Sequence, residues 1–472
     1  MTTARPSSPS IPGPSALPLL GLQGSLIKFS LDPVAHMREA HATYGNVVAF
    51  AKQDPKWVYA FGAENNQRVL TDNTTFHIPS MSLTLPIPPG SSLDRLNSGL
   101  ITMNGERHKK QRRLIMPVFH KKHLDVYCED MVRVTEEYIS GWKVGQPLNI
   151  AKAMQHLALI IVGKTLFGTD SRTEASLLGG VIRKWIDTQT SLGVFAFPRD
   201  LPGTPYRRLL RLSETLEAHL LKKIEQKRAN PQSQHDLLWL LMQARDEEGT
   251  EMTDHELIGQ ANNLFNGGHE TSGNALGWTL FLLSQHPEIL ANVLEELKSV
   301  LRGGAPGVEH LGQLPLLEGC IKESLRLLPP GTYSMRVVNE PVELGAYTIP
   351  KGTLVILSIY MTHMLPELYP EPRKFKPERW HKAPANPYGF MTFSAGARRC
   401  IGAEFAMMEM KIVLAILLQR FSMQLDAGAR IDRRVRLTLF PKRGIPMTLG
   451  EPGRLPVRAG VRGNIHEMVD LS

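Results

Sequence analysis

The stretch FSAGARRCIG, from Phe393 to Gly402, sets Cys400 directly after Arg398 and Arg399 and just before an apolar run that begins at Ala403. A cysteine ligates a metal as its thiolate. Both neighbours favour that form, positive charge on one side and the positive end of a helix dipole on the other. Gly396 permits a backbone bend that a side chain would obstruct, and Gly402 would let the next helix lie close against a flat ligand. With only Cys128, Cys320 and Cys400 in 472 residues, the chain does not read as a disulfide framework, so Cys400 is open to other chemistry. Stripped of its surroundings, the same cysteine would read as a small buried apolar residue.

Outward from this loop the pattern changes twice. Upstream, residues 361 to 392 are Pro-rich and irregular. Before them, Arg336 to Tyr360 alternates like short strands punctuated by Gly345 and Gly352. Downstream, Ala403 to Phe421 is apolar on nearly every face, which predicts a deeply buried helix. From about residue 33 to 300, apolar residues recur at three- and four-residue intervals, as in 121 to 142, 151 to 167 and 206 to 228. The fold class expected is mainly α with small β-sheets. The longest helix, over 253 to 286, opens on a Thr253/Glu256 capping box, stops at Pro287 and would run roughly 50 Å. It contains Gly267, Gly268, Gly273 and Gly277, each costing about 1 kcal/mol relative to Ala, so something there needs close approach or distortion.

A hydrophobic content of 42% supports a large core, and no repeat or Ser/Gly linker divides the middle of the chain. One catalytic domain over 11 to 449 is expected, beginning with the stiff segment IPGPSALPLLG, with a flexible N-terminus at 1 to 10 and a disordered tail at 450 to 472. The opening MTTARPSSPS lacks both a signal-peptide core and the roughly 20 apolar residues of a membrane span, so no membrane anchor and a cytoplasmic location are expected. The net charge of +9 includes five Lys or Arg among Arg107 to Arg113, and Arg430, Arg433, Arg434 and Arg436 near the end. No zinc-finger spacing or aromatic RNA-binding motif accompanies them, which argues against nucleic acid.

Phe393, Gly396, Arg398, Cys400 and Gly402 fill every fixed position of Phe-x-x-Gly-x-Arg-x-Cys-x-Gly, and there the chain resembles the cytochrome P450 family. The resemblance runs from about Pro12 to Leu449. It implies one helix-rich domain holding haem b (iron protoporphyrin IX) between the long central helix and the helix after the cysteine loop. Cys400 is then the axial iron ligand, Arg398 a propionate contact, and Phe393 a neighbour of the sulfur. His108 and Arg112, four residues apart on one helical face, and Arg336 match further propionate-binding positions. Glu323 and Arg326 match the family's buried Glu-x-x-Arg pair, joined by Arg379 of PERW. By spacing alone that pair would be an ordinary surface salt bridge.

In GGHETS, Glu270 and Thr271 take the positions of the family's oxygen-activating acid and hydroxyl. Cleaving an O–O bond needs two protons, and these side chains could organise their delivery. The implied function is a monooxygenase inserting one atom of O₂ into a lipophilic small molecule such as a fatty acid, terpenoid, steroid or polyketide. Candidate pocket residues are Leu83, Leu85, Phe195, Phe197, Phe265, Gly267, Tyr333 and Phe440, although the same residues suit core packing. Without a visible flavin or iron–sulfur motif, electrons are expected from a ferredoxin or flavodoxin with its reductase. Lys109, Lys110 and Arg113 are a candidate docking patch for that acidic donor. A monomer is expected. The competing readings are a peroxide-driven or redox-independent haem-thiolate enzyme, and a haem sensor.

Overall fold

The computed structural model describes residues 10–16, 20–80, 85–120, 123–169, 172–230, 236–382, 386–471. By packing, the chain divides into two compact units. One comprises Met1–Pro79, Arg326–Lys374 and Lys382–Cys400; the other comprises Ser80–Leu325, Phe375–His381 and Ile401–Ser472.

The first unit is built on a five-stranded sheet in the order Val47–Ala49, Trp57–Ala60, Leu354–Ser358, Tyr333–Val338, Phe76–His77. Only the Trp57–Ala60 and Leu354–Ser358 pair is parallel, with Val58 opposite Val355. These strands are rich in β-branched and aromatic residues, which suit a pleated surface. Val58, Ala60, Val355 and Leu357 pack with Val69, Leu70, Met391 and Ala395, so the sheet shares its core with the run-in to the cysteine loop. The expected punctuation is present: Gly345 turns the hairpin Val342–Leu344/Tyr347–Ile349 at φ 61°, and Gly352 has φ 84°.

The second unit is helical. Its longest helix, Asp254–Gln285, has the anticipated capping box, with Thr253 and Glu256 each accepting from the other's main-chain N–H. Three of its glycines answer the question raised by their cost. A Cβ on Gly268 would come 2.8 Å from Val162 Cγ2, on Gly273 2.6 Å from Gln155 Cα, and on Gly277 3.3 Å from Ala151 Cα. All three belong to the helix Ile150–Phe167, so the glycines serve close helix packing rather than distortion. Gly267 is different: a Cβ there would meet nothing within 4 Å. Among the described residues, Ile150–Phe167 is the one helix apolar and long enough to cross a bilayer by composition, yet 72% of it is buried. The helix Ala403–Arg420 is buried along most of its length, as its sequence predicts.

The tail departs from expectation. Residues 451 to 471 are described, with a short 3₁₀ turn at Asn464–Glu467 and Ile465, Met468 and Val469 buried. Asn464 Oδ1 accepts from Arg433 N (2.6 Å), Glu467 pairs with Arg433 (2.6 Å), and Arg462 bridges Arg430. Arg462 of the tail is one attachment point, its guanidinium donating to Gly428 O (3.1 Å), and Arg433, which precedes the tail, supplies the others. Residues 1 to 9 of the expected flexible N-terminus lie outside the described residues.

Candidate functional site

The cysteine loop is held mainly by its own backbone. Ser394 N–H donates to Met391 O (2.9 Å), Arg399 N–H to Gly396 O (3.1 Å), and Cys400 N–H to Phe393 O (2.7 Å). Two residues take positive φ, Ser394 at 57° and Gly396 at 65°. A Cβ on Gly396 would also sit 2.8 Å from Leu70 O, in the helix Ala63–Thr71, so both conformation and space require glycine. The loop ends with Cys400 exposed, whereas Cys128 and Cys320 are buried. Burial raises those two thiols, Cys128 to about 11 and Cys320 beyond the ordinary range, so neither is suited to act as a thiolate.

Arg336 lies in the same unit, on the strand Tyr333–Val338, and is 4% exposed. Burial, then the charge of Arg398, pulls it down to about 10, and among the described residues no acid acts on it. A buried guanidinium beside a second one is costly without an anion. The arrangement therefore fits a ligand carrying carboxylates, and the donor set beside it, a single exposed thiol, fits the iron of haem.

Of the candidate structural residues, Glu323 and Arg326 are fully buried and Arg379 is partly so. Glu323 accepts from Lys376 N (3.1 Å), Arg379 Nε (3.1 Å) and Trp380 Nε1 (3.0 Å), which wraps PERW around one carboxylate. Arg326 donates to the carbonyls of His363 (2.9 Å), Pro372 (2.7 Å) and Lys374 (3.3 Å), with its guanidinium 5.0 Å above the Tyr369 ring.

In the helical unit, His108 and Arg112 lie one turn apart on Gly105–Ile115, with His108 5% exposed. Three other basic residues of this helix are answered within the chain. Lys110 pairs with Asp246 (2.7 Å), Arg113 with Glu247 (2.9 Å) and Lys109 with Glu106 (2.7 Å). The candidate docking patch is thus offset by an acidic loop that the basic segment alone does not reveal.

On the long helix, Thr271 Oγ1 donates to Gly267 O (2.5 Å), the carbonyl of the glycine with open space. Glu270 Oε1 accepts from Thr438 Oγ1 (2.8 Å). That hydroxyl accepts from Asn274 Nδ2 (3.1 Å), and Asn274 Oδ1 accepts from Gln155 Nε2 (2.7 Å). Glu270 lines a cavity of about 170 Å³ with Gln155, Arg183, Asp187, Arg436 and Phe440. Asp187 and Arg436 form an ion pair in its wall (3.1 Å). Neighbouring His269 is held neutral, pushed down to about 4 by burial.

Three polar groups of this unit escaped the sequence reading. Thr438 sits in the turn between Arg433–Val435 and Leu439–Pro441, where nothing marks a lone threonine. Glu217 accepts from Ser92 (2.5 Å) and pairs with Arg95, pinning the short helix Ser92–Leu96 within the candidate pocket region. Glu409, in the helix after the cysteine, is fully buried, and neither carboxyl oxygen has a hydrogen-bond partner among the described residues. Burial pushes it up to about 8, with the Ser272 hydroxyl acting only weakly against this. One Glu inside an apolar run was its only signal.

The candidate pocket residues do not share one environment. Phe440 lines the cavity with Glu270, while Leu85 is fully buried. Phe265 is buried and stacked on Phe167 (5.8 Å). Tyr333 packs on Phe29 (5.1 Å) in an aromatic cluster with Phe50, Trp57 and Tyr59. Phe195 and Phe197 are 43% and 44% exposed. Leu83 lies outside the described residues.

The cytochrome P450 family model matches residues 11–446. The chain is 33% identical over 367 residues to a cytokinin hydroxylase of Arabidopsis thaliana, covering 75% of this chain and 72% of that protein. It is 32% identical over 346 residues to the cyclooctat-9-en-7-ol 5-monooxygenase of Streptomyces melanosporofaciens, covering 71% and 75%. Among solved structures it resembles the retinoic acid bound cyanobacterial CYP120A1, with a TM-score of 0.82, 27% identity and coverage of 94% of this chain and 100% of that one. The chain belongs to the cytochrome P450 family of haem-dependent monooxygenases.

Proposed function

We propose that the protein hydroxylates a lipophilic small molecule, with Cys400 as the thiolate that would ligate the iron of haem b and electrons supplied by a separate ferredoxin or flavodoxin. The observation carrying this reading is the cysteine loop: an exposed thiol at the end of a backbone-locked turn, in the unit where Arg336 and Arg398 crowd two positive charges together with no acid among the described residues acting on Arg336. His108, Arg112, Arg336 and Arg398 are the residues that would hold the haem propionates. Bound haem supplies the redox chemistry of R–H + O₂ + two electrons + two protons giving R–OH + H₂O.

The remaining work falls to side chains. Thr271, its hydroxyl turned to the Gly267 carbonyl, orders water beside the glycine of the long helix that has free space. Glu270, fixed by Thr438 at the wall of a cavity lined by charged residues, moves protons inward. The relatives named for a cytokinin and for cyclooctat-9-en-7-ol, and the neighbour solved with retinoic acid, act on or hold small organic molecules, which agrees with a substrate of that size. A cytoplasmic monomer fits this reading.

Replacing Cys400 by Ala tests it. The thiolate-type band of the reduced CO complex is expected to vanish while the fold persists. A band of unchanged position would refute the ligand assignment. A spectral-shift screen of fatty acids, terpenoids, steroids and polyketides then identifies the substrate class, and uniform silence across all four would overturn the lipophilic reading.

A further inference from the structure

In the unit that carries the cysteine loop, the imidazole of His363 joins two pieces of main chain. Met391 donates its N–H to Nε2 (2.8 Å), and Nδ1 lies 3.1 Å from the carbonyl oxygen of Arg326. The partners fix the tautomer. A main-chain N–H can only donate, so Nε2 is bare; the ring proton sits on Nδ1 and goes to the Arg326 carbonyl. Burial, then the Arg326 charge, keeps the ring neutral, pushing it down to about 3. The ring cannot swing aside, because it is fully buried, stacked on Phe390 (5.4 Å) and edge-on to Tyr369 (6.2 Å).

His363 is the last of three side chains that fix the run-in to the loop. Asn66 donates to Tyr388 O (3.1 Å) and Tyr369 to Gly389 O (3.2 Å), after which His363 takes the Met391 N–H. Met391 is where the loop's own bonding begins: its carbonyl accepts from Ser394, at φ 57°, and Phe393 O closes on Cys400 N–H. From this geometry we propose that His363 is a positioning residue for Cys400, setting the place of Met391 and hence of the turn from which the Phe393–Cys400 closure hangs. The proposal rests on the reading of Cys400 as thiolate ligand. Of the two bonds, the one to Met391 carries the effect; the one to Arg326 anchors the ring.

Two substitutions separate these bonds. His363→Gln puts an amide oxygen near the Nε2 position, keeping the Met391 bond and losing the Arg326 one. His363→Asn puts a donor near Nδ1 and does the reverse. In the holoenzyme, conversion of the thiolate-type reduced CO band to its thiolate-lost form is followed at fixed temperature, with far-UV melting measured alongside. The Asn variant is expected to convert about tenfold faster than wild type, because a buried N–H is left without an acceptor, while Gln stays within about twofold. Gln converting as fast as Asn, both matching wild type, or rates that simply track melting temperature would overturn the proposal. If the Asn variant does not fold, the Gln variant decides alone, since rapid loss of the band in folded His363→Gln contradicts it. Failure of the ligand assignment shows separately, as a thiolate-type band that survives Cys400→Ala.

Discussion

Cys400 is placed by its own N–H bonding back to Phe393, within one turn of chain, whereas Glu270 is placed by the hydroxyl of Thr438, 168 residues further on. In the loop, main-chain hydrogen bonds and two positive-φ residues define the turn. In the long helix, the backbone is regular and the acid's position depends on a side-chain chain through Thr438, Asn274 and Gln155. The difference has consequences for mutation. A backbone-defined site breaks at glycines and at the few side chains, such as His363, that hold its main chain, while a relay of side chains leaves the fold intact when one member is lost and changes only the proton path.

The largest expected effect on the cysteine loop and its haem is therefore at Gly396. Gly396→Ala places a Cβ against Leu70 O at 2.8 Å on a backbone with φ 65°, and a carbonyl within a helix cannot give way as a flexible side chain would. The combined conformational and steric cost is about 2 to 4 kcal/mol. Haem retention on gel filtration is expected to fall several-fold, together with the thiolate-type band. Wild-type retention would mean that the loop bends more freely than its bonding implies.

This contrast also explains what the sequence made legible. Phe393, Gly396, Arg398 and Cys400 sit within a few residues of one another, so their pattern is a local record of a local structure. The capping box at Thr253 was readable for the same reason. Thr438, Glu217 and the Asp246–Glu248 loop act on partners far along the chain, and no spacing rule joins such residues before folding. The tail was misread by composition: its arginines suggested solvation, and Ile465, Met468 and Val469 form too short an apolar set to announce a buried face. The glycines of the long helix showed that closeness was needed, but not that Ile150–Phe167 was the neighbour.

Glu409 sharpens the comparison next, because it is a buried side chain of the helical unit whose carboxyl oxygens find no hydrogen-bond partner among the described residues beyond the weak influence of the Ser272 hydroxyl. Its carboxyl is raised from 4.5 to about 8, so the folded state holds the proton more tightly than the unfolded state. The associated stability is fully present below the unfolded value and is lost as pH rises through the folded one. Between about pH 4.5 and 8 the loss is on the order of 3 to 5 kcal/mol as an upper bound. Glu409→Gln is expected to flatten a plot of melting temperature against pH between about 4.5 and 8, gaining steadily on wild type over that range and matching it in more acid solution. Parallel curves for the two proteins would show that the carboxyl is solvated in the folded state.

The smallest effect on stability, and the most specific on chemistry, is expected at Thr438. Thr438→Val keeps shape and burial while removing the donor to Glu270 and the acceptor for Asn274. Loss of those bonds costs about 1 to 2 kcal/mol, part of it recovered as Glu270 turns toward its cavity. The cysteine loop makes no use of Thr438, so the reduced CO band and haem retention should be unchanged. What moves is coupling: with Glu270 no longer held, more of the electrons consumed should leave as peroxide, by about two- to fivefold, a range set by the loss of one hydrogen bond. Thr438→Ser, which keeps the hydroxyl, should restore wild-type coupling. Equal peroxide yields from Val and Ser variants would show that the turn matters only for packing, and that Glu270 finds its place from the helix alone.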